Sequence, residues 1–553
     1  MQAIFLRFLP KRLQICYNSY PLTYGASKKM AKKFNITGSC IPERHYMGDV
    51  SGKIDKVMEI VSNGEYFTIN RPRQYGKTTV MYLLEQRLGK DNRYLVIDIS
   101  FEGIDTPTYE KHRRFIAAVL NIMQHRLAFM QEKELAALFE SNKTIPDFDR
   151  LNDFFTKMII KSGRKVVLMI DEVDKAGSNQ LFLDFLGMLR AKYIRRSQGK
   201  DYTFHSVILA GVHDIKTVKA KIRPEEKKAY NSPWNIALDF DLDLSLFPGE
   251  ISSMLEEYAN ERQVKINIPF FVEKLFYFTS GYPFLVSYLC KIIDEKILPQ
   301  KKKKEWEPHD LVQAVQMALM QNNTNFEDLV KNLENNPDLY EFIFKIIMNE
   351  KEFSYNPRNA LIHIGTIYGI LRREQGKTRI HNRLYEQLIY DYMSSNLETS
   401  GGLEYSHVSS SYIEEDGTLN IEKVIRKFQE FMKEQYSSKD KNFLERNGKL
   451  LFLAFIKPII NGRGFDFKEV QVSEERRLDI VITFENQRYI TELKIWRGES
   501  YHQAGILQLC DYLDRQNERI GYLLIFDFRK ERGRTGEWEE IEIKDKKIFA
   551  AWV

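Results

Sequence analysis

Four short apolar runs punctuate the first half of the chain: "YFTIN" at 66–70, "YLVIDIS" at 94–100, "KVVLMID" at 165–171 and "SVILAG" at 206–211. Between them lie longer stretches with helical spacing of apolar residues, among them Thr78–Leu88 and Phe115–Met130. Short runs of this kind suit strands buried on both faces. Their alternation with amphipathic helices predicts an α/β fold with a largely parallel sheet. From Pro248 to Gln321 the pattern becomes helical throughout, broken only by the lysine run at 301–304, which reads as a solvated connector. Residues 338–394 read as a compact helical unit around a "GKTRIHN" hairpin, a pattern that suits a winged helix.

The segment 394–420 is rich in Ser and Gly and lacks an apolar period, the composition of a linker. Beyond it, helices are predicted at 421–436 and 441–456, paired strands within 476–496, a helix at 501–515 and a strand at 519–530. The expected organisation is a disordered tail (1–33), an α/β core (34–247), a helical lid (248–335), a winged-helix-like unit (336–395), a linker (396–420) and a second α/β domain (421–553). No internal repeat of solenoid period is present.

The first apolar run leads into "RPRQYGKTT" at 71–79 and then a helix. A phosphate-binding loop works because successive backbone N–H groups point at the phosphates and the following helix adds its positive end. Gly76 allows close approach of the backbone, Lys77 reaches the β- and γ-phosphates, and the Thr78 hydroxyl serves Mg²⁺. Arg71 stands where the first glycine of such a loop is expected. The third apolar run ends in Asp171-Glu172, the form of a Walker B strand. Asp171 then belongs to the magnesium shell, and Glu172 orients and deprotonates the attacking water.

These residues, with "FNITGSCIPERHYMGDVSGKID" (34–55), "IRPEEKKAYNSPWNIALDF" (222–240) and "FTSGYPFLVSYLC" (278–290), resemble the bacterial AAA-like ATPases near the STAND and archaeal-type groups. The likeness covers roughly 34–395. It implies that Arg71 is a trait of a variant phosphate loop, and that Arg71, Arg73, Gln74, Tyr75, Gly76, Lys77, Thr78 and Thr79 hold the nucleotide. It also implies that Pro283, in Gly281-Tyr282-Pro283, sits by the nucleotide at the start of the lid. The sensor position falls within 206–214, where His213 and Asp214 are the candidates. Arg223 is weighed as an arginine finger against an ordinary surface ion pair.

A second constellation lies in "RRLDIVITFENQRYITELKIW" (476–496). Asp479 opens one strand, and Glu492 and Lys494 stand two apart on the next, so they share a face. This Asp…Glu-x-Lys set, with 492 − 479 = 13 residues between the acids, resembles the PD-(D/E)XK nuclease fold over roughly 441–530. The resemblance implies that Asp479 and Glu492 hold Mg²⁺ and that Lys494 handles the nucleophilic water. Glu445 is a further expected metal ligand, and Gln508 matches a helix glutamine of part of that superfamily. The plainer alternative is a hairpin with charges on its solvent face.

Composition refines this picture only slightly. The net charge of +6, spread over 553 residues, weakly favours an anionic partner. The four cysteines form no CxxC or zinc spacing, and no apolar run reaches the roughly 20 residues that span a bilayer, so a cytoplasmic protein is expected. The first 42 residues lack Asp and Glu, which fits a disordered tail, or a start at Met30, better than a presequence. The expectation is therefore an ATP- and Mg²⁺-dependent ATPase that cleaves nucleic acid, most plausibly DNA, with no membrane partner and with a homo-oligomer as a possible assembly. Defence against foreign DNA or mobile-element upkeep is its setting by analogy alone. A regulatory switch with a non-cleaving docking module, and a DNA motor, are the rival readings.

Overall fold

The computed structural model describes residues 31–176, 179–212, 242–347, 351–399, 412, 414, 418–435, 451–452, 455–456, 464–467, 480–484, 487–516, 518–527 and 537–553. Two short strands, β1 (Lys33–Phe34) and β2 (His45–Tyr46), pair in the lead-in segment. Helix α1 (Ser51–Ser62) then brings the chain to the central sheet.

That sheet consists of β3 (Tyr66–Asn70), β4 (Tyr94–Ser100), β5 (Lys165–Asp171) and β6 (Ser206–Gly211), all parallel, in the order β3-β6-β5-β4. These are the four apolar runs of the sequence with their predicted bounds. Every residue of β5 after Lys165 is buried, because helices cover both faces of a parallel sheet. Alternate residues go to opposite cores. Val167 and Met169 pack with Val80, Met81 and Leu84 of α2 (Lys77–Leu88). Val166, Leu168 and Ile170 pack on the helices His112–Phe129, Phe148–Ser162 and Gln180–Ser197.

After β6 the described chain resumes at residue 242 and builds helices Pro248–Arg262, Ile268–Thr279, Pro283–Ile292, Pro308–Met320 and Thr324–Glu334. Helices Pro337–Ile347 and Ala360–Ile367, the antiparallel pair β7 (Leu371–Glu374) and β8 (Lys377–Ile380), and helix Arg383–Thr399 form a hairpin unit. The last of these helices extends four residues into the 396–420 stretch expected to be linker, from Asn396 to Thr399.

The C-terminal part folds around a six-stranded mixed sheet in the order β13-β14-β12-β11-β10-β9. Its strands are β9 (Gly464–Phe467), β10 (Ile480–Phe484), β11 (Gln487–Ile495), β12 (Ile520–Phe526), β13 (Trp538–Ile543) and β14 (Lys546–Trp552). The hairpin β10–β11 was legible in sequence, whereas β9, β13 and β14 were not anticipated. Leu493 and Phe526 face the core that includes Phe428 of helix Ile421–Gln435. Ile490, Leu523 and Ile525 face helix Glu499–Gln516. No helix among the described residues is long and apolar enough to cross a membrane.

Candidate functional site

The period-2 alternation of β5 decides where its terminal acid goes. Asp171 continues the 167, 169 series on the face covered by α2, and there the Thr78 hydroxyl donates to Asp171 Oδ2 at 3.0 Å. Gly76 stands at the N-terminus of α2 with φ 87°, a backbone geometry that costs glycine nothing, and frees the first turn of the helix to face a cavity. Lys77 is buried, and its Nζ donates to the carbonyls of Arg71 and Pro72, both at 2.8 Å. Burial holds its pKa down, opposed by the nearby carboxylates of Asp174, Glu172 and Asp171. The lysine thus folds back onto its own loop.

Glu172 sits at φ 55°, in the left-handed region that non-glycine residues seldom adopt, with its N–H donating to Asp171 Oδ1 at 2.9 Å. Burial and then the charge of Asp171 raise its pKa. Asp98, on the next strand, is pushed up to about 6 by burial and by Asp171. Asp174 accepts from Val212 N at 2.6 Å and so ties the end of β6 to this acidic group.

The cavity beside these residues has a volume of about 620 Å³. Arg73, Gln74, Tyr75, Gly76, Lys77, Thr78, Thr79, Glu172 and Pro283, all expected here, border it. Arg71 is not part of that lining; its guanidinium donates to Asn70 O at 2.9 Å. The remaining wall includes residues that the spacing of motifs did not reveal, among them Asn35 to Gly38 of the lead-in, Met254, Phe284 and Thr324. Cys40 N donates to Thr79 Oγ1 at 3.0 Å, which fixes the lead-in against the phosphate loop. The sensor candidates His213 and Asp214, and Arg223, lie outside the described residues.

The donors at the Thr78–Asp171 pair are hard oxygens, and no cluster of three or more His, Cys, Asp or Glu suited to a metal occurs among the described residues. A hydroxyl with one carboxylate fits Mg²⁺, which keeps most of its shell for water and phosphate oxygens. Zinc, which favours closed sets of nitrogen and sulfur ligands, would not suit it.

In the C-terminal part, Glu492 and Lys494 lie on the same face of β11 as Ile490, the face covered by helix Glu499–Gln516. Glu492 is fully buried, and Lys494 Nζ stands 2.7 Å from its Oε1. Gly505 lets the helix come close: a Cβ there would lie 3.5 Å from Lys494 Cε. Gln508 is buried on that helix. A helix covers this face, so the plainer alternative of a hairpin with charges on its solvent face does not describe Glu492 and Lys494. Asp479 and Glu445 lie outside the described residues.

A family model described as an AAA-like domain matches residues 43–391. No curated protein matches the chain. Among solved structures, a Walker-type ATPase of Pyrococcus abyssi shares 12% identity at a TM-score of 0.44, covering 64% of this chain and 99% of its own. The Aeropyrum pernix ORC2 protein, solved in ADPNP–ADP complexes, shares 11% identity at a TM-score of 0.36, over 66% and 96% of the two chains. A Thermotoga maritima RuvB variant shares 16% identity at a TM-score of 0.33, over 64% and 98%.

Proposed function

The chain belongs to the AAA-like domain family, which its model matches over 43–391, and from that premise we propose that it binds and hydrolyses Mg·ATP and carries a C-terminal nuclease. The observation that carries the first half is the meeting of Thr78 and Asp171, from segments 93 residues apart, at the N-terminus of α2. The cavity beside them is of the size that takes a nucleotide. Thr78 and Asp171 would hold magnesium, which when bound supplies positive charge to the phosphate oxygens. Lys77 exchanges its two loop carbonyls for phosphate oxygens, and α2 directs its unpaired N–H groups at the same anion. Glu172, with a carboxylate made more basic by its surroundings, takes the proton of the attacking water.

The second half rests on the buried Glu492–Lys494 pair beneath the helix that carries Gln508. We read residues 421–553 as a PD-(D/E)XK nuclease-like domain and 336–395 as a winged helix that packs on the ATPase. Asp479 and Glu492 would hold the metal, with Lys494 and Gln508 placing water and phosphate. The substrate is a nucleic-acid phosphodiester, most simply DNA, and the setting of defence or mobile-element upkeep remains analogy.

Plasmid DNA incubated with Mg²⁺, with and without ATP, beside Lys77→Ala and Glu492→Ala, tests both halves. Cleavage lost in Glu492→Ala and ATP hydrolysis lost in Lys77→Ala are expected. Cleavage unchanged by Glu492→Ala sinks the nuclease assignment and favours a docking module.

A further inference from the structure

The phosphate loop has no glycine between Asn70 and Gly76, yet Gln74 holds φ 56°. Something other than glycine must impose that shape. Each residue from Pro72 to Tyr75 is gripped from outside. Gly369, at φ 71°, lets the hairpin unit press on Pro72; a Cβ there would meet Pro72 Cβ at 2.8 Å. Tyr282, beside Pro283, donates its hydroxyl to Arg73 O at 2.5 Å. Gln74 Nε2 donates to Thr324 Oγ1 at 3.0 Å.

Tyr75 is the deepest of these contacts. Its side chain is only 5% exposed, and its hydroxyl stands 2.7 Å from Ser245 Oγ and 3.0 Å from His381 Nε2. Its ring meets Tyr282 edge-on at 4.6 Å and His381 at 5.6 Å. The backbone of His381 is itself fixed, its amide N–H donating to Ile370 O at 2.7 Å. Burial keeps its imidazole neutral, so its ring nitrogen can accept a hydrogen bond from the Tyr75 hydroxyl while Tyr75 accepts one from Ser245.

We propose that Tyr75, Tyr282 and His381 are positioning residues that shape the phosphate loop for nucleotide, so the lid and the hairpin unit are parts of the phosphate site. This rests on the nucleotide-binding reading above. The loop is pre-shaped by a buried polar socket assembled from Ser245, 170 residues downstream, and His381, 306 residues downstream. By thermodynamic reciprocity, nucleotide that draws Lys77 away from Arg71 O and Pro72 O tightens or loosens the same socket, and hence the hairpin unit.

The test is a titration of the full chain with fluorescent ATP and Mg²⁺, with circular dichroism to verify folding. Tyr75→Phe keeps the ring and loses the hydroxyl; His381→Leu loses the acceptor. Each should raise Kd about tenfold, the order of one buried polar partner lost. The double variant should be no weaker than the worse single one, because the two share one hydrogen bond. His381→Gln, whose amide oxygen can accept near the Nε2 position, should recover most of the affinity. Tyr392→Phe, on the same helical unit and touching Glu334, should bind as the parent does. Amide exchange over 369–382 should change with nucleotide in the parent and lose that response in Tyr75→Phe. Parent affinity in folded Tyr75→Phe and His381→Leu, or additive losses in the double variant, overturns the proposal. A parent whose binding is absent or indifferent to Lys77→Ala overturns the nucleotide reading instead. Should His381→Leu fail to fold, Tyr75→Phe and the amide-exchange response decide.

Discussion

The two candidate sites of this chain are built in opposite ways. At the C-terminal site, Glu492 and Lys494 are two residues apart on one strand, and the pleat alone puts them on one face. At the phosphate loop, Lys77, Asp171, Tyr282 and His381 come from four distant segments, and the loop keeps its shape only because the others reach it. A site written into one hairpin tolerates damage elsewhere in the chain. One assembled from four segments transmits damage from each of them. Variants should separate the two on that ground.

The largest effect should come from Lys77→Ala, with ATP turnover falling by about a thousandfold or more and DNA cleavage in the absence of ATP unchanged, as measured by phosphate release and by plasmid nicking. Glu492→Ala should do the converse. It should abolish cleavage while leaving ATP turnover within about twofold, and it should remove the carboxylate that pairs with Lys494. Equal loss of both activities in either variant would show that the sites are not separable.

Gly281 comes next. It adopts φ 72°, and a Cβ there would fall 2.3 Å from Leu246 O, against the connector that also carries Ser245. Gly281→Ala should cost about 2–3 kcal/mol of stability, read from denaturant midpoints, and weaken nucleotide binding with it. The C-terminal unit should be unaffected.

The pH dependence follows from His381. Burial and the charge of Arg372 hold its pKa at about 3, against the opposing pull of Asp243. In the unfolded chain the imidazole takes a proton near 6.5, so between about 6.5 and 3 the unfolded state binds more protons. Stability is thus fully present above 6.5 and is lost as pH falls, by about 1.4 kcal/mol per unit at most. His381→Gln should flatten that slope in the unfolding midpoint of the ATPase part. An unchanged slope would assign the acid sensitivity elsewhere.

The smallest effect belongs to Arg73→Ala. Its guanidinium pairs with Asp328 at 3.1 Å in the open, where such pairs contribute roughly 0–1 kcal/mol, so stability should hardly move. Only a direct contact with bound phosphate would make its effect on affinity large.

The phosphate loop, the acidic end of β5 and the Glu492–Lys494 pair were readable because each is a local pattern: a glycine and lysine at a helix start, an apolar run ending in acids, an alternation of two. His381 lies within the "GKTRIHN" hairpin, and Ser245 and Thr324 belong to no motif. Nothing in their neighbourhoods signals a partner hundreds of residues away.

By itself the sequence determined the four central strands, their burial on both faces and the period that sends Asp171 to the side of α2, since these follow from side-chain polarity along a single strand. Only the tertiary structure decided that β6 lies between β3 and β5, that a helix closes over Glu492, and that a tyrosine in the phosphate loop is held by a histidine from the hairpin unit. Those outcomes depend on packing between segments remote in the chain, and local propensity carries no record of which remote surface will fit.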